Sequence, residues 1–150
     1  MEVPTSSFIE TKAVGRRLAN LVRPGDVVVL EGGLGAGKTA FASGLGEGLG
    51  VDEPITSPTF LLMRSYDSGF IRLVHVDVYR LGSLGEFDEL FAVEEAEEGV
   101  LVIEWGDSVV ASLPEDRLTI RFEHKGDDNR LLSFFPRGSW TSRDLVGVSS

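Results

Sequence analysis

At 150 residues the chain is long enough to bury one substantial core. Its 14 basic and 24 acidic side chains give a net charge of −10, which argues against a direct grip on a nucleic-acid backbone. The absence of cysteine excludes disulfides and thiolate chemistry and fits a cytoplasmic location. No apolar run approaches the ~20 residues of a membrane span, and the opening Met1-Glu2-Val3-Pro4 has neither the basic start nor the apolar stretch of a signal peptide.

Ser7 and Glu10 have capping-box spacing and place a helix start near Phe8. Phe8, Val14, Leu18, Leu21 and Val22 recur at helical spacing and form its expected apolar face. Arg23-Pro24-Gly25-Asp26 is a turn signal that stops it. Residues 27–30 are a continuous apolar run, as expected for a strand buried on both faces. The next segment, Gly32-Gly33-Leu34-Gly35-Ala36-Gly37-Lys38-Thr39, fits G-x-x-x-x-G-K-[ST], the phosphate-binding P-loop. Its glycines let backbone N–H groups converge on phosphate oxygens, and the following helix adds its positive end. Lys38 supplies a cation for the terminal phosphates and Thr39 a hydroxyl for Mg²⁺.

Phe41, Leu45 and Leu49 lie four apart and should pack on the sheet. Gly44, Gly46 and Gly48 cost this helix about 1 kcal/mol each relative to alanine. They imply either close packing or fraying. Ser57-Pro58-Thr59 is a loop. Residues 60–66 and 70–76 flank Asp67-Ser68-Gly69 as a hairpin. Ser83 and Glu86 repeat the capping-box spacing and open a helix through about Glu97. Residues 100–103 are another buried strand, and 107–113 a short helix stopped by Pro114. Residues 118–123 and 131–135 flank Gly126-Asp127-Asp128 as a second hairpin, and 139–150 read as a loose tail. The order predicts a single α/β domain over 1–150, a P-loop NTPase with a mixed central sheet flanked by helices. The P-loop should sit at the carboxyl end of a central strand.

A P-loop site needs a second anchor for Mg²⁺, usually an acid at the end of an apolar strand. Asp77 closes residues 73–76, and Glu104 closes 101–103. The pattern does not choose which of them touches the metal. His75 reads first as a satisfied structural histidine, Arg80 as a structural ion-pair partner and Trp105 as packing. Thr59 is a switch threonine or a turn residue. The seven acids of 86–98, with no base among them, form a solvated helix face or a dock for a basic partner. The two asparagines, Asn20 and Asn129, do not precede lysine, so the guanine-reading Asn-Lys-x-Asp motif is absent. No arginine cluster follows the P-loop helix to make the lid of a small-molecule kinase.

The P-loop, then Ser57-Pro58-Thr59-Phe60, then His75-Val76-Asp77-Val78-Tyr79-Arg80-Leu81, then Glu104-Trp105, resemble the ordered motif set of the TsaE (YjeE) family. These are small bacterial ATPases needed to make threonylcarbamoyladenosine in tRNA. The resemblance implies ATP and Mg²⁺ as ligands. Residues 32–39 would hold the nucleotide, with Lys38 on the β- and γ-phosphates and Thr39 on the metal. Asp77 would be the Walker B acid, Glu104 a second essential acid near the metal, and Thr59 part of a nucleotide-sensing switch loop. It further implies a two-subunit tRNA threonylcarbamoyl transferase complex as partner, tRNA being met only indirectly, and a weak ATPase stimulated by that complex. The chain departs from the family pattern at Gly33, where Asp is usual, at Ala40, where Thr is common, and at Val78, where Leu is common. The competing expectations are a small-molecule P-loop kinase and a binding module switched by nucleotide occupancy.

Overall fold

The computed structural model describes residues 1–33, 35–56, 63–78, 87, 88 and 90–150. Its strands are β1 (Glu2–Thr5), β2 (Asp26–Glu31), β3 (Met63–Tyr66), β4 (Arg72–Asp77), β5 (Gly99–Glu104), β6 (Leu118–His124) and β7 (Arg130–Pro136). They form one seven-stranded sheet in the order β1-β7-β6-β2-β5-β4-β3. The central strand β2 runs parallel to β5 and β6, and β4 runs parallel to β5. The β3/β4, β6/β7 and β1/β7 pairs are antiparallel. This is the expected α/β class with a mixed sheet flanked by helices.

Alternation along the strands divides the core in two. Val28 and Leu30 of β2 join Val100, Val102, Leu118 and Ile120 on one face. Val27 and Val29 join Val74, Val76, Leu101 and Ile103 on the other. Helices α1 (Phe8–Leu18) and α2 (Lys38–Gly48) cover the first face through Val14, Leu18, Phe41 and Leu45. A short α3 (Ala92–Glu95) and a 3-10 turn (Gly106–Ser112) cover the second through Ala92 and Val109.

Ser7 caps α1 as predicted, its Oγ accepting from the Glu10 amide at 3.1 Å. The return bond goes one residue further back. The Glu10 carboxylate accepts from the Ser6 amide (2.8 Å) and from the Ser6 hydroxyl. These bonds hold its carboxyl below the usual range. Their stabilisation is therefore present above the ordinary carboxylate range and is lost as pH falls through the lowered value. Phe8, expected in the core, is 61% exposed. It is the first residue of α1, one turn before the buried Thr11, and it lines a cavity instead.

The glycines of α2 mark close packing. A Cβ at Gly44 would overlap the Lys12 carbonyl oxygen, one at Gly48 would meet Ala19 Cβ at 2.5 Å, and one at Gly15 would overlap the Phe41 carbonyl oxygen. The two helices thus touch backbone to backbone. Gly44→Val should lower stability by ~1–3 kcal/mol, read as a drop in the urea midpoint at unchanged slope. Gly147→Ala is the control, since a Cβ there meets nothing within 4 Å.

One strand goes unmarked in the sequence, and two expectations need correction. The edge strand β1 is four residues long and contains Pro4, so no strand pattern marks it. The helix expected over 83–97 is not continuous. Ser83 and Glu86 lie outside the described residues, but Phe91 sits in the left-handed region (φ 52°) and the helix after it is only Ala92–Glu95. The tail expected to be loose is packed. It forms 3-10 turns at Gly138–Ser142 and Leu145–Val148, and Trp140 and Val148 join the first core. Arg143 anchors it through a buried bidentate pair with Asp26, Nη1 to Oδ2 at 2.5 Å and Nη2 to Oδ1 at 2.9 Å, and stacks over the Trp140 ring at 3.9 Å. Among the described residues no helix is long and apolar enough to cross a membrane.

Candidate functional site

Strand β2 delivers the glycine loop at its carboxyl end, at the centre of the sheet. Gly32 follows it with φ 148°, and a Cβ there would stand 2.7 Å from the Phe122 carbonyl oxygen of β6. Only glycine allows that approach. Gly37 is the N-cap of α2 in the left-handed region (φ 104°) and offers no side-chain bond to the first turn. The helix start opens on a cavity of about 350 Å³ lined by residues 35–40. Backbone N–H groups and the positive end of the helix dipole therefore face it, a natural place for an anion.

Two acids close one side. Strands β4 and β5 are parallel, with Asp77 and Glu104 as Cα partners at their last residues. Both residues are buried and both line the cavity. The period of two puts His75 on the same sheet face, and its Nε2 lies 2.6 Å from Glu104 Oε2. The histidine, expected to be a satisfied structural residue, is satisfied at Nε2 alone, and its partner is one of the two candidate acids. After Glu104 the chain turns sharply out of the sheet, with Trp105 left-handed (φ 65°) and its amide donating to Leu30 O at 2.8 Å. That turn brings the indole beneath Lys38, whose Nζ stands 3.4 Å from the ring centroid and donates to Gly32 O at 2.7 Å. Trp105 does pack, and what it packs against is the P-loop lysine.

The other side comes from elements not connected with the site in sequence terms. Ser7, Phe8 and Thr11 line it from α1, and Asp128 and Arg130 from the β6/β7 hairpin. Arg130 Nη2 donates to Gly35 O at 2.9 Å, tying the hairpin to the P-loop, while Nη1 holds the hairpin's own Asp127 and Asn129 carbonyls at 3.1 and 3.0 Å. Phe8 carried one signal, an aromatic beside a helix cap. Arg130 carried none, since only the sheet order brings it to the loop. Leu34, Thr59 with its neighbours Ser57 and Pro58, Tyr79 and Arg80 lie outside the described residues. A Cβ at Gly33 meets nothing within 4 Å, so packing does not require glycine there.

A strand, a glycine loop and a helix opening on Lys-Thr, set against two strand-end acids in an α/β sheet, define a P-loop-type protein. The family model described as "Threonylcarbamoyl adenosine biosynthesis protein TsaE" matches residues 5–132. The chain belongs to the TsaE family. It is similar to the tRNA threonylcarbamoyladenosine biosynthesis protein TsaE of Bacillus subtilis, at 41% identity over 87% of this chain and 82% of that one. It is also similar to the protein of that name from Streptomyces coelicolor, at 48% identity over 78% of this chain and 81% of that one. Among solved structures, Bacillus subtilis YdiB superposes with a TM-score of 0.77 at 37% identity, covering 92% of this chain and 86% of that one.

Proposed function

We propose that the chain is a cytoplasmic Mg²⁺-dependent ATP hydrolase. It serves the two-subunit threonylcarbamoyl transferase complex that modifies adenosine in tRNA. The observation that carries this reading is the convergence of the α2 start, Lys38 and the register-matched Asp77 and Glu104 on one cavity. Lys38 would move from Gly32 O to the β- and γ-phosphates, and the amides at the start of α2 would take the remaining phosphate charge. The donor set suits Mg²⁺. The Thr39 hydroxyl and the two carboxylates are hard oxygen ligands, and no group of three or more His, Cys, Asp or Glu side chains that could hold a metal ion occurs among the described residues. That fits an ion shared with phosphates rather than caged by protein. Thr39, Asp77 and Glu104 would hold it, and bound Mg²⁺ would neutralise charge on the β- and γ-oxygens. With net charge −10, the chain would meet tRNA only through its partner.

The acids lie on the β4/β5 side of the loop, and Phe8, Asp128 and Arg130 on the β6/β7 side. A triphosphate lying along the loop with its terminal phosphate toward the acids puts its base beside Phe8. Base–aromatic stacking contributes roughly 1–3 kcal/mol. Phe8→Ala should therefore weaken ATP binding about 5-fold or more, measured by calorimetry, and leave inorganic tripolyphosphate affinity unchanged.

The deciding experiment measures ATP hydrolysis by the purified protein, alone and with the transferase complex. A low basal rate raised by the complex supports the proposal. A complex that neither binds the protein nor stimulates it sinks the accessory role. Full multi-turnover tRNA modification with a non-hydrolysable ATP analogue would show that occupancy, not hydrolysis, is what the complex uses.

A further inference from the structure

Glu104 is a buried carboxylate at the cavity wall, and a buried charge without a partner is costly. One of its partners is His75, which is itself fully buried one pleat back on the neighbouring strand. The contact, Nε2 to Oε2 at 2.6 Å, runs diagonally across one sheet face, from the residue paired with Val102 to the residue two further along β5. Among the described residues His75 Nδ1 has no hydrogen-bond partner. An imidazole carrying its proton on Nε2 accounts for both atoms: it donates to the carboxylate and leaves only a lone pair unmatched. The ring is closed in by the surrounding core, with 0% of His75 exposed.

We infer that His75 is a positioning residue for hydrolysis. By donating from Nε2 it fixes Oε2 of Glu104, and so the plane and rotamer of the carboxylate that faces the nucleotide beside Asp77. The inference rests on the reading of Glu104 as part of the hydrolytic site. It assigns to a histidine in the sheet interior a task performed entirely through its neighbour.

The test is a double-mutant cycle on the full chain with its transferase complex, using His75→Leu, Glu104→Gln and the double variant, with His75→Gln as the conservative replacement. Single-turnover hydrolysis, ATP affinity and thermal midpoint are read for each. His75→Leu should lower the hydrolysis rate about 10- to 100-fold while ATP affinity stays within about 2-fold. His75→Gln, whose amide nitrogen reaches the Nε2 position, should restore most of the rate. In the Glu104→Gln background His75→Leu should cost nothing further, because its route of action is gone. The ¹⁵N spectrum of the wild-type imidazole should show the proton on Nε2, independent of turnover and of whether His75→Leu folds. Additive losses in the cycle, no rescue by His75→Gln, or a proton on Nδ1 would overturn the inference while leaving the ATPase reading intact. If Glu104→Gln alone hydrolyses at the wild-type rate, the role of Glu104 falls and the inference with it. If wild-type protein neither binds nor hydrolyses ATP, it is the functional reading that fails.

Discussion

Lys38→Ala should reduce complex-stimulated ATP hydrolysis by at least about 100-fold, the scale on which removal of a group aimed at developing charge is felt. In the structure its ammonium is held close to where phosphate would sit, over the Trp105 ring and on Gly32 O. It need not be ordered at the moment of binding, only transferred from one acceptor to another, which is why its loss should appear in the rate. The same geometry supplies a second readout. Trp105 is one of two tryptophans, and the other, Trp140, is buried in the C-terminal segment. Nucleotide that draws Nζ away from the indole should change the Trp105 emission. In Lys38→Ala that response should vanish while the far-ultraviolet dichroism and thermal midpoint stay near wild type. A variant that keeps wild-type turnover would remove the lysine from the mechanism.

Arg143→Met should destabilise the fold by ~3–5 kcal/mol without altering the chemistry of the cavity. Arg143 is the bidentate partner of Asp26, and it also donates to Leu21 O at 3.2 Å and Ser139 Oγ at 2.8 Å. Removing one member of such a buried pair leaves the other charged and unmatched, which is the costly half of the exchange. For a chain of this length the midpoint should fall by roughly 6–20 °C. Replacing both members, Asp26→Leu with Arg143→Met, should recover much of the loss, since apolar side chains of similar volume can stand in for a buried pair. Asp26 begins β2, at the opposite end of the strand from the glycine loop, so nucleotide affinity of the folded fraction should be unchanged. Equal stability of the single variant and wild type would show that the tail does not depend on this pair.

What sequence showed and what it hid divide along contact distance. The P-loop, the apolar strands β2 and β5, the cap at Ser7 and both hairpins are local patterns. Each is a few residues whose spacing states its own geometry, and each appears in the structure. The acids Asp77 and Glu104 were legible as strand ends, but their register partnership depends on β4 lying beside β5. Helical periodicity assigns Phe8 to the apolar face because it counts apolar residues and carries no information on the cavity that the first turn lines. The packing of the tail leaves no local pattern, because polar residues surround Trp140, Arg143, Leu145 and Val148, and the Asp26 that anchors it lies more than a hundred residues away. Arg130 was invisible for the same reason: its contact with Gly35 exists only once β7 has joined the sheet.

The strand order also has a consequence in time. β2 is made early, yet its two neighbours are β5 and β6, and β1 waits for β7. During synthesis this apolar strand must remain without sheet partners while about 70 more residues are added, a delay of roughly 4–15 s at ~5–20 residues per second. In that interval α1 and α2 can shield its Val28 and Leu30 face, held together by the glycine seam between them. On the ribosome, then, the α1–β2–α2 unit is the natural first folding unit, and the phosphate loop acquires its shape last, when the C-terminal hairpin closes over Gly32 and Gly35.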